Sequence, residues 1–254
     1  MYPEERQQAI ALLVGQRGRL SVTATAEQFG VTTETVRRDL AVLERAGMLR
    51  RVHGGAVPVT AVALVELALG ERTGRLSEQK AKIAAAALDY LPGTNGSIIL
   101  DGGTTTAALA ELLPTDRRLL IVTNAVPTAA RLGNTPGISV HMLGGRIRGV
   151  TQCTVGEAAI RKLADLRVDV AFMGTNGITA TGFSTPDEDE ALVKRAMVSA
   201  GQRVVVLADS SKLHRETLVR FAKPEDVDVL ITDSGADRDT LDALEEAGIE
   251  VILA

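Results

Sequence analysis

The sequence predicts an α/β protein in two parts, an N-terminal winged helix-turn-helix and a Rossmann-like α/β domain behind it. Three observations lead there. Residues 1–57 hold three short helical patterns followed by a glycine-centred hairpin signal. From Ser97 onward, apolar runs of strand length alternate with amphipathic stretches, the texture of a parallel sheet covered on both faces. Trp is absent and aromatics make up 2% of the 254 residues, so the core is built from Ala, Val, Leu and Ile. Such side chains suit close helix-on-sheet layers.

Taken in order, Ile10, Leu13 and Val14 fall at helical spacing within 4–16, and Gly15 and Gly18 end that helix. "LSV" (20–22) is a short extended piece. Thr23 caps a second helix, 24–29, stopped by Gly30, and Thr32 caps a third, 33–45, stopped by Gly47. "MLRRVHGGAV" then reads as two extended arms around Gly54-Gly55, which accept the positive φ of a tight turn. Residues 58–76 read as a linker with a helical turn near Val65, and a helix spans 77–91. Strands are expected at 97–101, 119–123, 138–142, 168–173, 203–208, 227–232 and 249–253. Helices fit 104–113, 125–133, 155–166, 188–200 and 237–247. The domain limits are therefore 1–57 and 77–254.

The chain carries a formal net charge of −4, yet residues 1–57 sum to +2 without a single lysine, leaving −6 for the rest. Arginine's planar fork matches phosphates and guanine edges, so the asymmetry points to a polyanionic partner. On a helical projection of 33–45, Val36, Leu40 and Leu43 form the core stripe, and Glu34, Arg38, Ala41 and Arg45 lie opposite. The N-terminal half of such a helix enters the major groove of double-stranded DNA. Thr23, Thr32, Thr33, Glu34, Thr35, Arg37 and Arg38 are the candidates for base edges and nearby phosphates. On the wing, Arg50, Arg51 and His53 would meet backbone or minor groove. The competing reading is a solvated helix face whose arginines pair with Asp39 and Glu44.

Several classes are excluded. The single Cys153 allows no internal disulfide and no cysteine-rich zinc site, and it reads as a buried thiol. No metal-ligand cluster, Walker loop or G-x-G-x-x-G fingerprint occurs, so neither a metal nor a cofactor is expected. His141 and His214 have no Ser or Cys arrangement that would make them catalytic. The polar start is no secretory signal, and the apolar run 61–69 is broken by Glu66 and too short for a bilayer. A cytoplasmic protein with no membrane partner is expected.

The stretch "FGVTTETVRRDLAVLERAGMLRRVHGGAV" (29–57) resembles the N-terminal signature of the DeoR family of bacterial transcription regulators. The resemblance implies a repressor of sugar uptake or catabolism genes, leaning toward phosphotransferase sugars of the fructose type. It also implies a sensor domain that resembles ribose-5-phosphate isomerase and aminosugar-phosphate deaminase in fold. A reader of short half-sites is expected to be a homodimer or homotetramer.

Within the second domain, "IILDGGTTTAALAEL" is a strand, a glycine turn and a helix opening on threonines. Backbone N–H groups at such a helix N-terminus, with hydroxyls beside them, form an anion site. That nominates Asp101, Gly103, Thr104, Thr105 and Thr106. Other loops follow strands at the same carboxyl edge and add Thr123, Asn124, Gly144, Gly145, Arg148, Gly174, Asn176 and Lys212. Together they describe a site for a small polyhydroxylated anion, best a phosphorylated sugar. Glu190 and Lys194, four apart on a helix, match an acid and a lysine of the family's sensor domain. The isomerases it resembles carry an Asp-Gly-Ala-Asp-Glu loop where this chain has "GTNGI", so proton shuttling lacks a positioned base. No catalytic residue is assigned, and an active isomerase or deaminase with a DNA-binding head is the alternative.

Overall fold

The structure is a computed structural model that describes residues 3–17, 19–45, 48–52, 54–58, 69–74 and 76–254. It divides into two compact units, 1–61 and 62–254.

In the first unit, α1 (Pro3–Arg17), α2 (Val22–Phe29) and α3 (Thr33–Arg45) pack around Ile10, Val14, Val36, Leu40 and Leu43. Strands β1 (Leu20–Ser21), β2 (Leu49–Val52) and β3 (Gly55–Pro58) form an antiparallel sheet in the order β1-β3-β2. The winged helix-turn-helix is therefore present. Helix α1 runs through Gly15, which was expected to stop it. Helix α2 starts earlier than expected, capped by Ser21, whose Oγ accepts from the Ala24 N–H at 3.5 Å. Thr23 is thus an exposed first-turn residue and no cap. Gly54 has φ 76 at the hairpin turn, as predicted. Gly55 is required for a different reason, because a Cβ there would stand 2.0 Å from the Leu20 carbonyl oxygen.

In the second unit, a short helix α4 (Leu69–Thr73) stands where a linker was expected; 59–68 and 75, including Val65, lie outside the described residues. The elements that follow are α5 (Ser77–Ala87), β4 (Gly96–Leu100), α6 (Thr104–Leu112), β5 (Leu119–Thr123), α7 (Val126–Leu132) and β6 (Ile138–Met142). Next come β7 (Arg146–Arg148), β8 (Cys153–Val155), α8 (Glu157–Ala164) and β9 (Val168–Gly174). Then come β10 (Gly177–Thr179), β11 (Gly182–Thr185), α9 (Glu188–Ala200) and β12 (Gly201–Leu207). The chain closes with β13 (Val219–Ala222), β14 (Val229–Thr232), α10 (Arg238–Glu246) and β15 (Glu250–Leu253).

Seven strands form one wholly parallel sheet in the order β15-β14-β12-β9-β4-β5-β6. Alternate residues of one strand serve opposite faces, so Ile98, Leu100 and Phe172 pack with Ile83, Leu109 and Leu132 of α5, α6 and α7. Ile99, Ala171 and Met173 face Leu163, Met197 and Leu241 of α8, α9 and α10. Strands covered on both faces have no polar side, which is why they read as unbroken apolar runs. Strand order reverses between β4 and β9: the chain steps outward from β4 to β6, then returns beside β4 and steps the other way to β15. Open α/β sheets bind ligands at the carboxyl ends of strands flanking such a reversal.

Candidate functional site

On α3 the buried residues are Val36, Asp39, Leu40 and Leu43. Three of them are the predicted core stripe; Asp39 is an addition. It accepts from Arg6 Nε at 2.6 Å and from Gln7 Nε2 at 3.0 Å, so it bolts α1 to α3 and is not a partner for the α3 arginines. The opposite face stays open. Side chains of Arg37 and Arg38 are 61% and 81% exposed, loosely paired with Glu34 at 3.5 and 3.9 Å. Exposed pairs of that length are worth little, so the arginines are available to a stronger anion. Thr32 caps the helix as expected, its Oγ1 accepting from the Thr35 N–H at 3.2 Å and sitting 2.9 Å from the Thr35 hydroxyl. Thr33 and Thr35 are half-buried at the start of this face.

On the wing, one nominated arginine is held in place by a carboxylate. Arg51 is not loose: its N–H and its Nε both donate to the Glu44 carboxylate, at 2.8 and 2.6 Å. Arg50 lies on β2 opposite Val57, and His53 lies outside the described residues. Arg45 turns back onto the Ala41 carbonyl at 3.2 Å.

In the second unit the strand-order reversal is laced shut by buried polar groups. Gly174 at the end of β9 donates its N–H to Asp101 Oδ2 at 2.9 Å, just past the end of β4. Lys194 reaches across from α9 to the same Oδ2 and donates to the Gly174 carbonyl at 2.9 Å, with the Phe221 ring 5.1 Å away. Burial pushes the Asp101 carboxyl above its usual range, against the pull of Lys194 and the Gly174 N–H. Glu190, one turn before Lys194, accepts from the Thr151 hydroxyl and from Arg148 at 3.2 Å, while Arg148 also holds Asp187 at 2.9 Å. The i, i+4 spacing of Glu190 and Lys194 therefore marks two separate buried networks and no surface ion pair.

Helix α6 opens beside these groups. Gly103 is its N-cap, Thr104 is half-buried, and Thr105 and Thr106 are buried. The Thr106 hydroxyl donates to the Gly103 carbonyl at 3.0 Å, so the backbone N–H groups of this turn are what an anion would meet. Several nominated residues also make structural hydrogen bonds. The Thr123 hydroxyl donates to the Leu100 carbonyl at 2.6 Å and accepts from the Ala125 N–H at 3.1 Å, tying β5 to β4. Asn124 donates to the Thr154 carbonyl at 3.3 Å, with Oδ1 buried. Asn176 accepts from Thr185 at 3.3 Å. Gly144 and Gly145 precede the hairpin β7–β8, and a Cβ on Gly145 would stand 2.4 Å from the Val155 carbonyl oxygen. Cys153 is pushed up to about 12 by burial and by the charges of Asp101 and Glu190, so its thiol stays protonated. His214 adopts φ 58 and pairs with Asp237, the N-cap of α10.

Lys212 brings in residues that sequence reading missed. Burial and the charges of Arg215, Arg72 and Lys80 hold its ammonium below the usual lysine range, with Asp209 opposing them. Lys80, on α5, is 6% exposed and donates to the Arg72 carbonyl of α4 at 2.5 Å. The positive charges of Arg215, Arg72 and Lys80 therefore act on Lys212 against the one opposing charge of Asp209, and such a local surplus favours an anion. A signal for Lys80 was present: it shares one helical stripe with Ile83, Ala84 and Ala87, where a charge needs a reason. Among the described residues no group of His, Cys, Asp and Glu is arranged to hold a metal ion.

An open arginine face on a winged helix-turn-helix, joined to an α/β domain whose buried charges and α6 N-terminus meet at a strand-order reversal, defines a DNA-binding, ligand-sensing regulator. Residues 6–62 match the DeoR-like helix-turn-helix domain and residues 75–234 the DeoR C terminal sensor domain. The chain belongs to the DeoR family of transcriptional regulators. It is 38% identical over 254 residues to the HTH-type transcriptional regulator GlpR of Haloferax volcanii, covering 99% of this chain and 98% of that one. It is 34% identical to a putative aga operon transcriptional repressor of Escherichia coli O157:H7 (98% and 93% covered). With the HTH-type transcriptional repressor GlcR of Bacillus subtilis the identity is 32% (100% and 97% covered). These relatives are named as regulators or repressors and not as enzymes. Among solved structures, ribose 5-phosphate isomerase A from Neisseria gonorrhoeae covers 54% of this chain and 53% of its own at 18% identity and TM-score 0.39. That likeness concerns the fold alone. No helix among the described residues is long and apolar enough to cross a membrane.

Proposed function

We propose that this chain represses genes of sugar uptake or catabolism, and that a phosphorylated sugar in the second unit sets its affinity for operator DNA. The observation that carries this reading is the α6 N-terminus opening at the strand-order reversal beside the buried Asp101 and Lys194, with Lys212 repelled by the charges of Arg215, Arg72 and Lys80. A phosphate relieves that repulsion, while the polar loops beside it suit hydroxyls. The named relatives, with an aga operon repressor and a regulator called FruR among them, support the sugar theme without specifying the sugar.

Helix α4 suggests how occupancy reaches DNA. It contributes Arg72, bonds through the Leu69 N–H to the Val150 carbonyl at 3.0 Å, and directly follows the segment that connects the two units. A ligand that draws Arg72 and Lys80 inward acts on the first turn after that connection. The chain works as a cytoplasmic homodimer or homotetramer, since one recognition helix covers only a short half-site.

The test is a thermal-shift screen with inorganic phosphate, ribose 5-phosphate, glucosamine 6-phosphate and fructose 1-phosphate. A true effector at 100 times its Kd stabilises by about 2.7 kcal/mol. The Lys212→Met chain loses that response. A screen in which no sugar phosphate raises Tm beyond inorganic phosphate contradicts the pocket.

A further inference from the structure

Glu44 lies in the last turn of α3, away from the half that enters the groove. It faces β2, and both of its oxygens are given to Arg51, one to the backbone N–H and one to Nε. The two side chains are 33% and 50% exposed. An ion pair so open adds little to stability, so its bidentate geometry needs another explanation. The explanation lies in the shape of the guanidinium. Arginine presents five N–H donors in a rigid plane, and a carboxylate on the Nε edge fixes that plane while leaving the terminal amines to point away. The two hydrogen bonds from Arg51 hold the Glu44 carboxyl below its usual range, so the clamp stays ionised at neutral pH.

The surrounding backbone is firmly placed. Arg51 pairs with Ala56 of β3, β3 pairs with β1, and the Val22 N–H at the start of α2 donates to the Gly54 carbonyl at 2.9 Å. The wing is thereby tied to the elements that carry the recognition helix. We infer that Glu44 is a positioning residue for DNA binding: it aims the Arg51 guanidinium at a backbone phosphate beside the groove that α3 enters. Interactions of this kind fix register and carry no base sequence, so they belong to non-specific as well as specific binding. The inference rests on the DNA reading of α3.

The test measures binding of the full chain to a random-sequence duplex by fluorescence anisotropy across a salt series. The slope of log K against log salt falls by about 0.9 for each phosphate that is no longer neutralised. Arg51→Met is expected to lower the slope by about that amount. Glu44→Gln is expected to weaken binding roughly three- to tenfold and to lower the slope toward the Arg51→Met value. Simple removal of a negative charge near DNA has the opposite sign and tightens binding, so the direction separates that effect, and the slope separates a loosened hairpin from a lost phosphate. In the double variant the two effects should not add, because both act on one phosphate. Arg51→Met retains the backbone N–H that holds Glu44, so its slope reads that phosphate even where Glu44→Gln loosens the hairpin. Tighter binding by Glu44→Gln, or an unchanged slope in Arg51→Met, overturns the proposal. If the unmodified chain shows no salt-dependent binding, the DNA reading itself fails; if it binds and Glu44→Gln binds as well, only Glu44 falls.

Discussion

The open face of α3 and the sensor site handle charge in opposite ways. On α3, Arg37 and Arg38 stand in solvent, loosely paired with their helix neighbour Glu34. In the sensor unit, Asp101, Glu190 and Lys194 are at most 6% exposed, each with near partners in fixed geometry. A surface that meets a polyanion keeps its charges hydrated and free to exchange water for phosphate. A site that discriminates among small ligands must hold its polar groups still beforehand, and burial with full pairing does that. The same residue types therefore carry different costs in the two places.

The contrast is sharpest when single charges are removed. Lys194→Met leaves Asp101 buried without its partner, and urea unfolding should show a loss of about 3–5 kcal/mol. Arg38→Ala should leave the unfolding curve within about 0.5 kcal/mol of the parent, since its surroundings are solvent. In a duplex titration the same variant should lose about 1–3 kcal/mol of binding. Comparable stability losses from the two would erase the distinction. Thr32→Ala removes the α3 cap and should cost about 1 kcal/mol in the first unit, without altering the thermal response to sugar phosphates.

Lys212 gives the smallest stability change and the opposite sign. Its folded ammonium is held below the usual lysine range, so the folded chain releases that proton at lower pH than the unfolded chain does. Below both values the penalty is present in full, and it fades as pH rises from the lowered folded value to the ordinary lysine value. Lys212→Met should flatten that rise and slightly stabilise the ligand-free chain, while abolishing its response to sugar phosphates. A destabilised Lys212→Met chain would mean that the lysine is structural.

Much of this was legible in residues. The α3 stripe of Val36, Leu40 and Leu43 repeats at helical period, and the strands covered on both faces read as apolar runs, so both elements appear where expected. Strands β7, β8, β10, β11 and β13 escaped because they are three or four residues long and interrupted by Thr, Gly or Arg. Such pieces are too short to show alternation. Ser21 displaced Thr23 as the α2 cap because either hydroxyl satisfies the capping pattern, and β1 pairing sets where the chain leaves the strand. In the site, Lys212 and the glycine turn before α6 followed from their positions after strands. Arg72 and Lys80 did not, because their approach to Lys212 depends on how α4 and α5 pack. Thr123 reads as a ligand group in sequence, and its hydroxyl also ties β5 to β4, a bond that the sequence does not show.

The proposed function turns on coupling between the site around Lys212 and DNA binding. It is tested most directly by selecting a duplex from random sequence with the full chain, then titrating it by anisotropy with and without each sugar phosphate. At least one sugar phosphate should change Kd by about 5- to 150-fold, the usual range of allosteric coupling. That change should vanish in Lys212→Met. An unmodified chain that binds its selected duplex with the same Kd in the presence of every sugar phosphate tested would contradict the claim.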